Sequence, residues 1–84
     1  MGKAWHVYIL RCADGTLYTG AAVDVAARTA THNKGKGARY TRGRLPVRLV
    51  YQEPCADRGT ALRREHAIKK LSRENKRRLI AASR

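Results

Sequence analysis

Apolar and polar positions along the chain predict a short series of alternating elements. Trp5 to Cys12 is β-branched, aromatic and almost continuously apolar, the pattern of a strand covered on both faces. Asp14-Gly15 is a turn signal, and Leu17-Tyr18-Thr19-Gly20 resumes the strand pattern, so a hairpin is expected around Ala13–Thr16. Asp24 stands as N-cap for a helix over Val25–His32, stopped by the glycines at 35 and 37. Asn33 to Pro46 reads as a Gly-rich basic loop. Val47-Arg48-Leu49-Val50-Tyr51 alternates as a third strand, closed by Pro54. Asp57 caps a second helix from Arg58 to near Leu71, and Ser72 a last one from Arg73 to near Ala82. The order ββαβαα predicts a mixed α/β (α+β) unit, one domain over residues 1–84.

Composition narrows the classes. At 84 residues and 43% hydrophobic, with thirteen alanines and no Phe, the chain is expected to form a compact core of modest apolarity, not a disordered segment. No apolar run approaches the roughly 18 residues of a membrane span. Lys3 followed by Ala4–Leu10 resembles a signal peptide only faintly, since Arg11-Cys12 follows where a small-residue cleavage site belongs. Met1-Gly2 opens a myristoylation pattern, but His6 stands where Ser or Thr is required. Cys12 and Cys55 have no zinc spacing, and two buried free thiols in a reducing cytoplasm are favoured over one disulfide. A cytoplasmic protein is expected, with nucleoid association left open.

Charge then changes the picture. Nineteen Lys+Arg against six Asp+Glu leave +13. Self-repulsion of that size costs stability unless an anion offsets it, and phosphate neutralisation does so with counterion release. Thirteen of the basic residues are Arg, suited to bidentate phosphate contact and base stacking. Between Asp24 and Glu53 no acid occurs, while Lys34, Lys36, Arg39, Arg42 and Arg44 accumulate around Gly35 and Gly37. Those glycines are read as letting backbone amides approach a phosphate, with Tyr40 as a stacking surface. A flexible, solvated loop is the competing reading. Residues 58–84 carry a further net +8.

Several residues fit a structural role poorly. The row Leu62–Glu65–Ile68–Leu71 puts a carboxylate into an apolar helical stripe, where it must be paired or hold a metal. Taken alone, a structural ion pair with an arginine is the favoured explanation. Arg28 and His32 lie four apart and share a helix face, although an exposed His near a helix end is commonplace. Tyr8 and Tyr18 lie on adjacent hairpin strands, where a tyrosine is more often core than chemistry. An Arg, a His, two Tyr and one carboxylate exclude a two-metal nuclease and suit a one-metal phosphodiesterase.

At these residues a family resemblance becomes visible. His6-Val7-Tyr8, ten residues before Tyr18-Thr19-Gly20, resembles the paired signature of the GIY-YIG nucleases, and Arg28, His32 and Glu65 follow in the family's order. The whole chain, with His32–Ala38, Tyr40-Thr41-Arg42 and Ala67–Ser72, is similar to the short stand-alone bacterial members. The resemblance implies a three-stranded antiparallel sheet flanked by helices and hydrolysis of a DNA phosphodiester with one Mg²⁺ or Mn²⁺. It implies Glu65 as metal ligand, Arg28 on the scissile phosphate and Tyr8 as general base. Tyr18 and His32 would position water or relay a proton.

Departures fall at His6-Val7-Tyr8 for Gly-Ile-Tyr, at Ala21-Ala22-Val23 and at Ala27, and bear on substrate more than on catalysis. Asn75 stands near a polar residue of some members, but a Ser72 cap through Asn75 explains it as well. The expected partner is DNA, with RNA also open, no membrane, and either a monomer or a transient dimer. A non-catalytic nucleic-acid-binding module and a ribosomal-RNA-docking protein are the alternatives.

Overall fold

The computed structural model describes residues 4–83. Met1–Lys3 and Arg84, and with them the amino-terminal targeting patterns, lie outside the described residues. Strands β1 (Trp5–Arg11), β2 (Leu17–Ala22) and β3 (Arg48–Cys55) form one antiparallel sheet in the order β2-β1-β3. The helices are α1 (Val25–Asn33), α2 (Arg39–Arg42), α3 (Arg58–Lys69) and α4 (Arg73–Ala82). The architecture is therefore the expected α+β sheet flanked by helices. No described helix is long and apolar enough to cross a membrane.

Local chemistry accounts for most boundaries. Asp14 Oδ1 accepts from the Thr16 amide at 3.1 Å and the Thr16 hydroxyl at 2.6 Å, and Gly15 takes φ +84°, closing the β1–β2 hairpin. Asp24, Asp57 and Ser72 cap α1, α3 and α4 by accepting from Ala27, Thr60 and Asn75 amides. Asn75 thus serves the Ser72 cap through its backbone. Pro54 does not close β3, which continues to Cys55. Because β3 is an edge strand, a missing donor there costs no ladder bond.

The central strand divides the interior in two. Val7 and Ile9 point to one side and join Tyr51, Ala61 and Ile68 under α3 and α4. Tyr8, Leu10 and Cys12 point to the other and join Val25 and Val47 under α1. The expected alternation of the third strand is broken by a bulge opposite Ile9/Leu10, so Val50 and Tyr51 both pack on the α3 side. Both cysteines are free, as expected, but only Cys12 is buried; Cys55 is half-buried in the other cluster.

The basic segment is not a plain loop. Its middle forms α2, and Asn33 ties its ends by donating to the Val47 carbonyl at 3.0 Å and accepting from the Val47 amide at 2.7 Å. That side chain thereby supplies the pairing an edge strand would otherwise lack at its start.

Candidate active site

Tyr8 is fully buried at the centre of β1, and its neighbour across the ladder is Gly20. A Cβ at position 20 would lie 2.5 Å from the Tyr8 hydroxyl, so only glycine leaves room for the phenol. His32, at the end of α1, is also completely buried. Its Nε2 lies 3.0 Å from the Tyr8 hydroxyl and its Nδ1 lies 2.9 Å from Thr41 Oγ1. The Ala38 backbone N–H, whose hydrogen is fixed by the chain, donates to Nδ1 at 3.3 Å, so Nδ1 is an acceptor and the ring hydrogen sits on Nε2. The Thr41 hydroxyl lies between Nδ1 and the Ala38 carbonyl, to which it donates at 2.8 Å. Nε2–H then donates to the Tyr8 oxygen.

Charges around this relay pull in opposite directions. Burial, then the neighbouring Tyr18, pushes the Tyr8 phenol up to about 12; Arg28 opposes the rise and Glu65 adds to it. Tyr8 is therefore a neutral phenol at neutral pH. Burial, then Arg28, lowers the pKa of His32, which keeps the imidazole neutral. Tyr18 packs edge-on against His32 at 5.2 Å between centroids and lies 6.5 Å from Tyr8. The expected set from β1, β2 and α1 thus converges on one patch, with Arg28 exposed above the buried His32.

Glu65 reaches this patch from the far side of the β2 edge. Its side chain is 17% exposed, and one oxygen, Oε2, pairs with Lys69 Nζ at 2.8 Å. The partner is thus a lysine one helical turn away and not an arginine. The stripe expected on this helix is also corrected: Leu62 is 42% exposed, while Ala61 and Ile68 supply the buried contacts. Glu65 therefore sits at the rim of the core, largely covered and paired with Lys69. No group of three His, Cys, Asp or Glu capable of holding a metal occurs among the described residues. A hard divalent cation such as Mg²⁺ needs none, since it keeps several waters and takes one or two carboxylates plus substrate phosphate oxygens. The Glu65 carboxylate, with Oε1 outside the pair with Lys69, is an oxygen donor of the kind such an ion takes.

The basic segment divides into free and committed groups. Lys34, Lys36, Arg39 and Arg42 are exposed, although Arg42 Nε donates to the Gly37 carbonyl at 3.3 Å. Arg44 is committed: it pairs with Asp14 at 3.0 Å, donates to the Tyr40 carbonyl at 2.7 Å and lies 4.0 Å over the Tyr40 ring. It braces Tyr40, which stays 39% exposed and stacks on Tyr18 at 6.0 Å. Gly37 is buried, and a Cβ there would overlap His32 Nδ1, so it makes room for the imidazole and exposes no amide to a phosphate. Gly35 takes φ +75° in the turn that ends α1.

Sequence reasoning missed two kinds of residue. Thr41, buried in α2, orients His32, and nothing in a Tyr-Thr-Arg triplet signals that. Lys69 and Lys76 line a groove of about 390 Å³ with Tyr18, Thr19 and Tyr40, along the open edge of β2. Arg73 and Lys76 continue it past Thr16. The net charge of residues 58–84 was the available signal, but it carried no direction.

A model of the GIY-YIG catalytic domain matches residues 4–78, and the chain belongs to that family. A UPF0213 protein of Desulfotalea psychrophila is 59% identical over 81 residues, covering 95% of this chain and 74% of its own. One from Natronomonas pharaonis is 54% identical, covering 96% of this chain and 95% of its own. The solution NMR structure of a UPF0213 protein from Bacillus halodurans has a TM-score of 0.60 at 46% identity, covering 94% of this chain and 84% of that one. A protein of E. faecalis, also solved by NMR, has a TM-score of 0.64 at 35% identity, covering 96% of this chain and 86% of that one. The domain is of a nuclease type, and its structural relatives have the same fold.

Proposed function

We propose that the protein is a divalent-metal-dependent endonuclease that hydrolyses phosphodiester bonds in DNA, acting as one domain in the cytoplasm, in repair or recombination. The observation that carries this reading is the buried Tyr8–His32–Thr41 cluster beneath Arg28 and near Glu65. A buried neutral imidazole that donates to a phenol oxygen steadies the phenolate through which a tyrosine base must pass, and a purely structural core has no need of it.

Tyr8, with its pKa near 12, does not act as a resting phenolate. The Tyr8 hydroxyl proton leaves to solvent, the phenolate being held by His32 Nε2–H and the Arg28 charge, and as water attacks phosphorus its proton passes to that oxygen and restores the phenol. One P–O ester bond breaks, and the leaving oxygen takes a proton from solvent. Because burial and Arg28 disfavour the imidazolium, His32 stays a neutral donor throughout. The Arg28 guanidinium also holds the charge developing on the phosphate, and Tyr18 positions the water. A cation held by Glu65 supplies Lewis acidity to a phosphate oxygen when bound. Lys69, Lys76 and Tyr40 line the path of the strand, with Lys34, Lys36, Arg39 and Arg42 on the outer flank and Arg44 keeping Tyr40 in place.

The ion pair of Glu65 with Lys69 favours the second reading, a nucleic-acid-binding module without cleavage. One experiment separates them. Nicked, branched, single-stranded and duplex DNA are incubated with the protein, with and without Mg²⁺ or Mn²⁺. Metal-dependent cleavage that disappears in Arg28→Ala and Glu65→Ala, while binding persists, supports the nuclease. Binding of every substrate without cleavage supports the module. Tighter binding to structured RNA than to any DNA of equal length would displace both.

A further inference from the structure

The sheet face away from Tyr8 carries a cavity that the proposed chemistry does not use. Arg11 at the end of β1, Arg48 at the start of β3 and Arg77 on α4 surround about 460 Å³ of space. Its floor is apolar, made by Leu17, Val50 and Ile80. The β3 bulge is what brings Val50 to this side in addition to Tyr51.

These arginines are placed at a cost. Arg11 and Arg48 are direct partners across the β1–β3 ladder, where like charges destabilise a sheet. The acids are engaged elsewhere: Asp14, Glu53, Glu65 and Glu74 pair with Arg44, Arg64, Lys69 and Arg78, while Asp24 and Asp57 cap helices. Among the described residues none of the three arginines has an acidic partner. An anion from outside the chain is the missing partner. Three guanidiniums exceed what one carboxylate neutralises, and a phosphate group of charge near −2 offsets most of their charge. The volume lies in the range of small-ligand sites, about 300–1,000 Å³, and an apolar floor beneath convergent donors is their usual construction. Guanidinium planes and branched aliphatic side chains together accept a flat ring.

We propose that this cavity binds a nucleoside phosphate, the phosphate on Arg11, Arg48 and Arg77 and the base over Leu17, Val50 and Ile80. The nucleotide arrives either free or as one unit of a strand. The site does not depend on cleavage at the opposite face.

Titration of the ¹⁵N-labelled full chain in EDTA, at fixed low salt, tests this with adenosine monophosphate, inorganic phosphate and a 5′-phosphorylated dinucleotide. Saturable shifts at the Leu17, Val50 and Ile80 amides are expected, with the mononucleotide at least tenfold tighter than inorganic phosphate. Ala81→Glu puts a carboxylate at the exposed rim of the cavity and should weaken binding at least tenfold with an unchanged melting temperature. Arg48→Gln should weaken it three- to tenfold. A dinucleotide binding more tightly than the mononucleotide identifies a strand as the source; equal binding identifies the free nucleotide. Inorganic phosphate binding as tightly as the nucleotide would overturn the proposal. So would no saturation at millimolar nucleotide, shifts confined to Tyr18 and Tyr40, or an unaffected Ala81→Glu. Arg28→Ala should leave the titration unchanged, so its outcome is separable from that of the cleavage screen.

Discussion

The two faces of the central strand are built for different ends. Beneath α3 and α4, Val7, Ile9, Tyr51, Ala61 and Ile68 form an almost wholly aliphatic and aromatic cluster. Beneath α1, the largest buried groups include Tyr8, His32 and Thr41, joined by hydrogen bonds of 2.9–3.0 Å. A buried polar network is stable only if every member is satisfied, and here satisfaction depends on Gly20 and Gly37 leaving room. The aliphatic face holds the fold together by burial. The polar face uses that rigidity to hold a neutral phenol and a neutral imidazole at bonding distance.

Substitutions on the two faces should therefore separate activity from stability. The largest expected effect is at the candidate site: Arg28→Ala over the polar face, or Glu65→Gln at its edge on α3, should lower the cleavage rate about 10²–10³-fold, with binding in EDTA and the melting temperature little changed. Equal losses of folding and activity would break the contrast. On the aliphatic face, Ile68→Ala should cost about 2–5 kcal/mol in denaturant unfolding while leaving the rate per folded molecule unaltered. Thr41→Val, which removes the hydroxyl beside His32 Nδ1, should slow cleavage about tenfold, with Thr41→Ser restoring it.

Acid offers a test without mutation. Because the folded-state pKa of His32 lies below its ordinary value, the unfolded chain binds the proton more readily. The His32 contribution to stability is complete above pH 6.5, the ordinary His value, and is lost as pH falls below it. Cleavage should fall over the same acidic range, and His32→Gln should flatten both profiles. The smallest expected effect is electrostatic. If about six phosphates are contacted, log K should fall with log[salt] at a slope near −5, and Lys76→Gln should reduce that slope by about one.

Much of this was legible because it is local. The three N-caps and the Asp14-Gly15 turn depend on residues within three positions of one another, and each forms as expected. Tyr8, Tyr18, Arg28, His32 and Glu65 were singled out because their types suit phosphodiester chemistry and their order resembles that of the GIY-YIG nucleases. Leu62 was misread because a helical stripe shows which residues share a face but not how far the neighbouring sheet extends beneath it. Gly37 was misread for a similar reason. Its function is defined by His32, five residues back, whose burial no local pattern reports.

The amino-acid sequence by itself determined the elements, their caps, the charge and the set of groups available for chemistry. Periodicity, turn geometry and formal charge are properties of neighbours along the chain. Tertiary structure alone decided that His32 lies between Tyr8 and Thr41, that Lys69 and Lys76 flank the β2 edge, and that Arg11 meets Arg48 across the ladder. Those relations join residues up to dozens of positions apart. They are set by strand register, by one bulge and by the packing of helices on two sheet faces.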